Sequence, residues 1–150
     1  MNPKRLIQIG FLIWAVAWFL PVHESGSALP DTLPGWEAVR LALSPIWPVE
    51  GIETGSWVNA LLSVLSAFTN LVVLVAMLRP SQSGARRARR MAVALTGAVL
   101  INAHWFLLSG ERFDLRVGYY LWWLSFVLLA LGFRRLARGA LTPVAPALAS

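Results

Sequence analysis

The sequence predicts an all-α membrane protein: a bundle of four transmembrane helices with a structured outer loop that carries a short amphipathic helix. Three observations lead there. Hydrophobic residues make up 57% of the 150-residue chain, charged residues 13%, and the mean hydropathy is +0.63, a balance far from that of soluble domains. The stretch 56–78 contains no Asp, Glu, Lys or Arg. At 1.5 Å per residue it makes roughly 34 Å of helix, enough to cross a hydrocarbon layer of about 30 Å. The third observation is the order of the charges. Lys4, Arg5, Arg79, Arg86, Arg87, Arg89, Arg90, Arg134, Arg135 and Arg138 occupy three short segments without an acid. All seven acids (Glu24, Asp31, Glu37, Glu50, Glu53, Glu111 and Asp114) fall in the other two connections. Basic residues collect on the cytoplasmic side of membrane-flanking segments. The alternation therefore puts both termini in the cytoplasm and the loop 21–55 on the outer face. High arginine and alanine usage points to a GC-rich bacterial genome, and so to a bacterial inner membrane.

The expected organisation is one domain, 1–138, with spans at about 3–20, 56–78, 91–109 and 116–133, and a disordered tail at 139–150. The first span has a signal-peptide look, with Lys4 and Arg5 before an apolar run. Pro21, His23 and Glu24 follow that run directly, so it is read as retained. Asn2 is placed to cap its helix and Pro3 suits the first turn. In the outer loop, residues 33–43 read as a short amphipathic helix, with Trp36, Val39 and Leu43 on one stripe and Glu37 and Arg40 elsewhere. A helix this short needs a surface to lie on, and the outer ends of the spans would supply one. Residues 79–90 read as a basic loop, broken by Pro80, Ser83 and Gly84. The Pro- and Ala-rich residues after Leu141 lack the apolar content to pack.

Within the spans the polar residues are ordered. Asn59, Ser63, Ser66 and Asn70 step by four, three and four, which places them on one helix face. Small and weakly polar side chains let helices approach and hydrogen-bond where lipid offers no partner. A packing seam is the leading reading, and a polar lining for a path is the alternative. Ala98, Asn102, Trp105 and Ser109 form a similar face. Gly118, Ser125 and Gly132 repeat every seven residues, a small-residue seam for a helix pair. Tyr119, Tyr120, Trp122 and Trp123 read as an aromatic belt at the outer interface. Trp36, Trp47 and Trp57 fall in or beside the outer loop and are candidates for an interaction surface.

Candidates for chemistry are few. His104 is the one ionisable side chain well inside a span, and such residues are functional candidates by default. The plain reading is a neutral histidine bonded to a neighbouring helix. The sharper one is a cofactor or metal ligand. Axial ligation of a tetrapyrrole is one form of that sharper reading, and Ala103-His104-Trp105 resembles, over those few residues, the histidine-bearing helices of bacterial light-harvesting polypeptides, from which no function is carried over. His23 and Glu24 sit on the same expected side as His104, and the three together are the candidate metal set. No cysteine is present, which removes disulfides, thiolate catalysis and Cys-based metal sites. No nucleophile–base pair, P-loop, dinucleotide fingerprint or HExxH motif is visible. The expectation is therefore a non-enzymatic membrane protein whose cofactors, if any, are not written in the sequence. Its partners are membrane lipids and other membrane subunits or copies of itself. The basic loop lacks the interleaved aromatics of a nucleic-acid surface. The leading function class is an accessory or partner-binding protein acting through contacts, the alternative is a homo-oligomeric channel or transporter, and the least supported is a membrane enzyme or a metal- or tetrapyrrole-binding protein using His104.

Overall fold

The computed structural model describes residues 2–23, 32–49, 56–78, 84–107 and 115–139. In chain order it contains α1 (Pro3–Ala17), β1 (Pro21–His23), β2 (Leu33–Pro34), α2 (Gly35–Ala42), α3 (Trp57–Leu78), α4 (Ala85–Asn102), α5 (His104–Leu107) and α6 (Val117–Gly139). Three helical stretches are long and apolar enough to cross a membrane: Trp57–Leu78, Ala85–Leu107 and Val117–Gly139. The protein is mostly helical, and by the length and composition of those helices it is an integral membrane protein.

The helix α1 is shorter than the expected first span. Asn2 accepts a hydrogen bond from the Lys4 amide at 2.9 Å, and Pro3 fills the first turn. The helix stops at Ala17, with Trp18 as its C-cap. Pro21 has no N–H to give to the Ala17 carbonyl, and it turns Leu20 away from helical geometry. The freed carbonyl end is covered by α2: the Trp36 amide donates to the Trp18 carbonyl at 3.2 Å. Beyond the turn, β1 pairs antiparallel with β2, Pro21 against Pro34 and His23 against Leu33. It also meets the start of α6. His23 bridges to Leu115, and the Arg116 amide donates to the Val22 carbonyl at 2.8 Å. The amphipathic helix expected at 33–43 is α2, but its stripe is rotated. Ala42 is buried, Gly35 lies against Ala17 and Trp18, and Ala38 packs beside Val22 and Tyr119, while Trp36 is exposed, because α2 turns its small residues toward the helix ends.

At the other boundaries helix extends into segments expected as loop. The helix α4 begins at Ala85, so Arg86, Arg87, Arg89 and Arg90 lie on its first turns. Alanine and arginine are strong helix formers, and Gly84 is the residue that caps the helix start. The helix α6 likewise runs through Arg134, Arg135 and Arg138 to Gly139. The tail beyond Gly139, the connections 24–31, 50–55, 79–83 and 108–114, and every acid except Glu37 lie outside the described residues.

The hub of the bundle is α6. It packs along both α1 and α4, while α3 packs on α4. The core joins Trp14, Val73, Leu95, Phe126, Leu129 and Phe133 from all four long helices. Pair directions follow from the contacts. Gly132 lies against Leu6 and Ile7, and Gly118 against Leu20 and Pro21, so α1 and α6 run antiparallel. Trp123 bonds to Val99 and Tyr119 to Asn102, so α4 and α6 are antiparallel too. Trp105 bonds to Ser66 and Asn102 to Thr69, which sets α3 antiparallel to α4. Together these place Lys4, Arg5, the four arginines of α4 and the three of α6 at one end of the bundle. Glu37, Trp36 and Trp57 lie at the other.

Candidate functional site

The polar side chains of α3 meet partners from three other helices. Asn70 is the junction. Its amide oxygen accepts from the Trp14 indole at 2.9 Å and from the Trp122 indole at 3.0 Å, and its NH2 donates to the Ala67 carbonyl at 3.1 Å. An amide oxygen carries two lone pairs, so one side chain satisfies two indole N–H groups that lipid could not. One residue of α3 thus joins α1 to α6.

A second set lies one turn away. The Trp105 indole donates to the Ser66 hydroxyl at 3.1 Å, and that hydroxyl donates to the Asn102 amide oxygen. The Asn102 NH2 donates to Thr69 at 3.0 Å and to the Ala98 carbonyl at 2.8 Å. The Thr69 hydroxyl returns to the Ser66 carbonyl at 2.6 Å. Ser66, Thr69, Asn70 and Asn102 are all buried. Buried polar networks of this kind are stable when every member is satisfied, and here each hydroxyl, amide and indole has a partner.

His104 begins α5, just past the break at Ala103. It is buried, its Nδ1 lies 2.7 Å from the Ile101 carbonyl, and its ring rests on Trp105 with centroids 4.7 Å apart. The break has a visible cause. The Tyr119 hydroxyl donates to the Asn102 carbonyl at 2.9 Å and so takes up an acceptor at the end of α4, while the Phe106 amide turns to the Ala103 carbonyl at 3.2 Å. His23 sits in β1 at the same end. Among the described residues no three His, Asp or Glu side chains converge as a metal site, and Glu24 of the candidate set lies outside them.

The other sequence candidates are placed as follows. Ser66 and Asn70 are buried in the network, Ser63 is half-buried and Asn59 is exposed near the start of α3. Gly118 and Gly132 face α1. A Cβ on Gly118 would stand 2.6 Å from the Pro21 carbonyl oxygen, and one on Gly132 would stand 2.6 Å from the Ile7 side chain. Ser125 between them is fully buried and returns its hydroxyl to the Trp122 carbonyl. Trp36, Trp47 and Trp57 are 52%, 70% and 78% exposed. The expected aromatic belt is corrected in part: Tyr120 stays exposed, but Tyr119, Trp122 and Trp123 turn inward, Tyr119 to the Asn102 carbonyl, Trp122 to Asn70 and Trp123 to the Val99 carbonyl at 3.0 Å. An indole in mid-span needs an acceptor, and that demand draws them off the surface. The Trp18 indole N–H is buried without a hydrogen-bond partner among the described residues. The seam reading missed Trp14, Thr69 and Tyr119. The available signal was that a mid-span indole or hydroxyl must find an acceptor on another helix.

No protein-family model, curated protein or solved structure matches the chain.

Proposed function

We propose that this is a small non-catalytic protein of the bacterial inner membrane that works through contacts. In this reading it is an accessory or assembly subunit of a larger membrane complex, or a membrane partner-binding protein. α1 crosses as a fourth segment, both termini face the cytoplasm, and the connection between α1 and α3 caps the outer ends of the helices. The observation that carries the reading is the group Trp36, Trp47 and Trp57. Three large aromatic surfaces stand exposed at one end of the bundle: Trp36 on α2, which a backbone hydrogen bond pins to the end of α1, Trp47 on the turn that follows α2, and Trp57 at the start of α3. Exposed tryptophans are preferred anchors of protein contacts. The interior polar side chains of the described residues bond to one another rather than facing an open path, which adds support.

The test is mass analysis after gentle solubilisation from the native membrane. Wild type is expected in a stoichiometric assembly with another membrane protein. Trp36→Ala/Trp47→Ala is expected to fall out of that assembly while staying in the membrane, because the long helices alone hold it there. A wild-type monomer, or a variant that keeps its partner, sinks the proposal. A second reading has its own observation: Asn59 is exposed and Ser63 half-buried on a helix that otherwise presents Leu61, Leu65 and Phe68 outward. Copies meeting along that face would form a homo-oligomer, and a pure homo-oligomer in the same experiment would favour the channel or transporter.

A further inference from the structure

We infer that the first turns of α4 form a binding site for the phosphate of an anionic phospholipid. Arg86, Arg89 and Arg90 lie three and four residues apart and so share one helix face. They rim a depression of about 400 Å³ whose remaining wall is Val93 and Ala94. Cationic rim and apolar floor are the two halves of a lipid: guanidinium forks bind phosphate oxygens in pairs, and Val93 and Ala94 meet the start of an acyl chain. All three arginines are exposed, and Glu37, the one acid among the described residues, lies at the opposite end of the bundle.

Depth agrees with this. From 91 to 107 the helix rises roughly 25 Å, close to the hydrocarbon thickness, so the arginines fall at the level of the headgroup phosphates. Their place on the helix also asks for an anion. The first turn is the positive end of the macrodipole, where cations are disfavoured, and α4 has no acid there to offset it. A bound phosphate neutralises both. Arg87, on the same turn, is half-buried on a different face and does not line the depression. The site is independent of what the tryptophan end touches.

The experiment counts lipids on the full chain by native mass spectrometry, with phosphatidylglycerol and phosphatidylethanolamine offered together in mixed micelles. Wild type is expected to keep one phosphatidylglycerol in preference to phosphatidylethanolamine. Arg86→Gln/Arg89→Gln/Arg90→Gln is expected to lose that preference by about tenfold. Arg5→Gln/Arg87→Gln/Arg134→Gln removes the same charge from the same end and is expected to keep it. Equal loss in both triple variants means a diffuse cationic surface and overturns the site, as does equal retention of the two lipids by wild type. Displacement of the lipid by millimolar inorganic phosphate assigns the site to the free anion and overturns the lipid. If the first variant does not fold, the triple lysine variant takes its place. It keeps the charge but loses the guanidinium fork, and is expected to weaken the preference about threefold. An unchanged preference there overturns the guanidinium-lined site.

Discussion

At the scale of single residues, Asn70 is the most consequential side chain in the bundle. Replacing it by Ala strands two indole N–H groups, on Trp14 and Trp122, in a place without water. A stranded donor costs about 1–3 kcal/mol, and hydrogen bonds between membrane helices average somewhat less. Asn70→Ala is therefore expected to lower stability by roughly 1–3 kcal/mol, and Trp122→Phe, which removes one donor and leaves the acceptor served by Trp14, by less. Unfolding by denaturing detergent, followed by helicity, measures both, and equal effects would argue against a shared acceptor. The spacing of Ser66 and Asn70 was legible because three-and-four steps mark a helix face. Their partners were not. Nothing in the spacing tells which of eight tryptophans reaches a given amide, since that depends on helix register across three pairs.

At the scale of elements, the glycines divide by what they touch. Gly118 is pressed against the backbone carbonyls of Leu20 and Pro21, and no side-chain rotation can relieve a Cβ there. Gly118→Ala is expected to cost about 1–3 kcal/mol through overpacking. Gly97 in α4 has open space around its Cα, so Gly97→Ala is expected to be neutral or to stabilise by up to about 1 kcal/mol through helix propensity. The same unfolding assay reads the contrast, and a tolerant Gly118 would mean that α1 and α6 do not approach this closely. The seven-residue repeat that marks Gly118, Ser125 and Gly132 is visible in sequence; that it faces α1 rather than α3 or α4 is not. The ends of helices were less legible. Composition shows where lipid must begin, but helix continues into polar surroundings as long as its residues favour it, as the arginine turns of α4 and α6 do. The early stop of α1 needed the structure, since Trp36 and the strand pair that cover it come from residues well downstream.

For the whole molecule, the antiparallel pairs gather the basic residues of three separate segments at one end. Read with the bias of cytoplasmic loops toward Lys and Arg, this predicts a sidedness that can be measured cleanly, because the chain has no cysteine of its own. A single cysteine in place of Arg40 or of Arg138, both exposed, is expected to react with a membrane-impermeant thiol reagent from opposite sides of intact spheroplasts. Labelling of Arg138→Cys from outside would reverse the proposed orientation. The membrane class of the fold was evident from composition and from one uncharged stretch. The identity of its hub was not, because the longest apolar run, α3, is not the best-packed helix. Apolar content reports contact with lipid, while burial against protein depends on the small and aromatic residues that α6 carries.

That hub has a consequence for how the protein is made. α6 follows the other three long helices in the chain, and α1 finds its main surface only there. During synthesis α1 emerges first, and Gly10 stays uncovered until Leu129 of α6 arrives to close over it, whereas the Trp14 indole can already meet Asn70 of α3. During that interval α1 lacks the helix it packs on most. The packing of α1 is thus decided when α6 emerges rather than along the way.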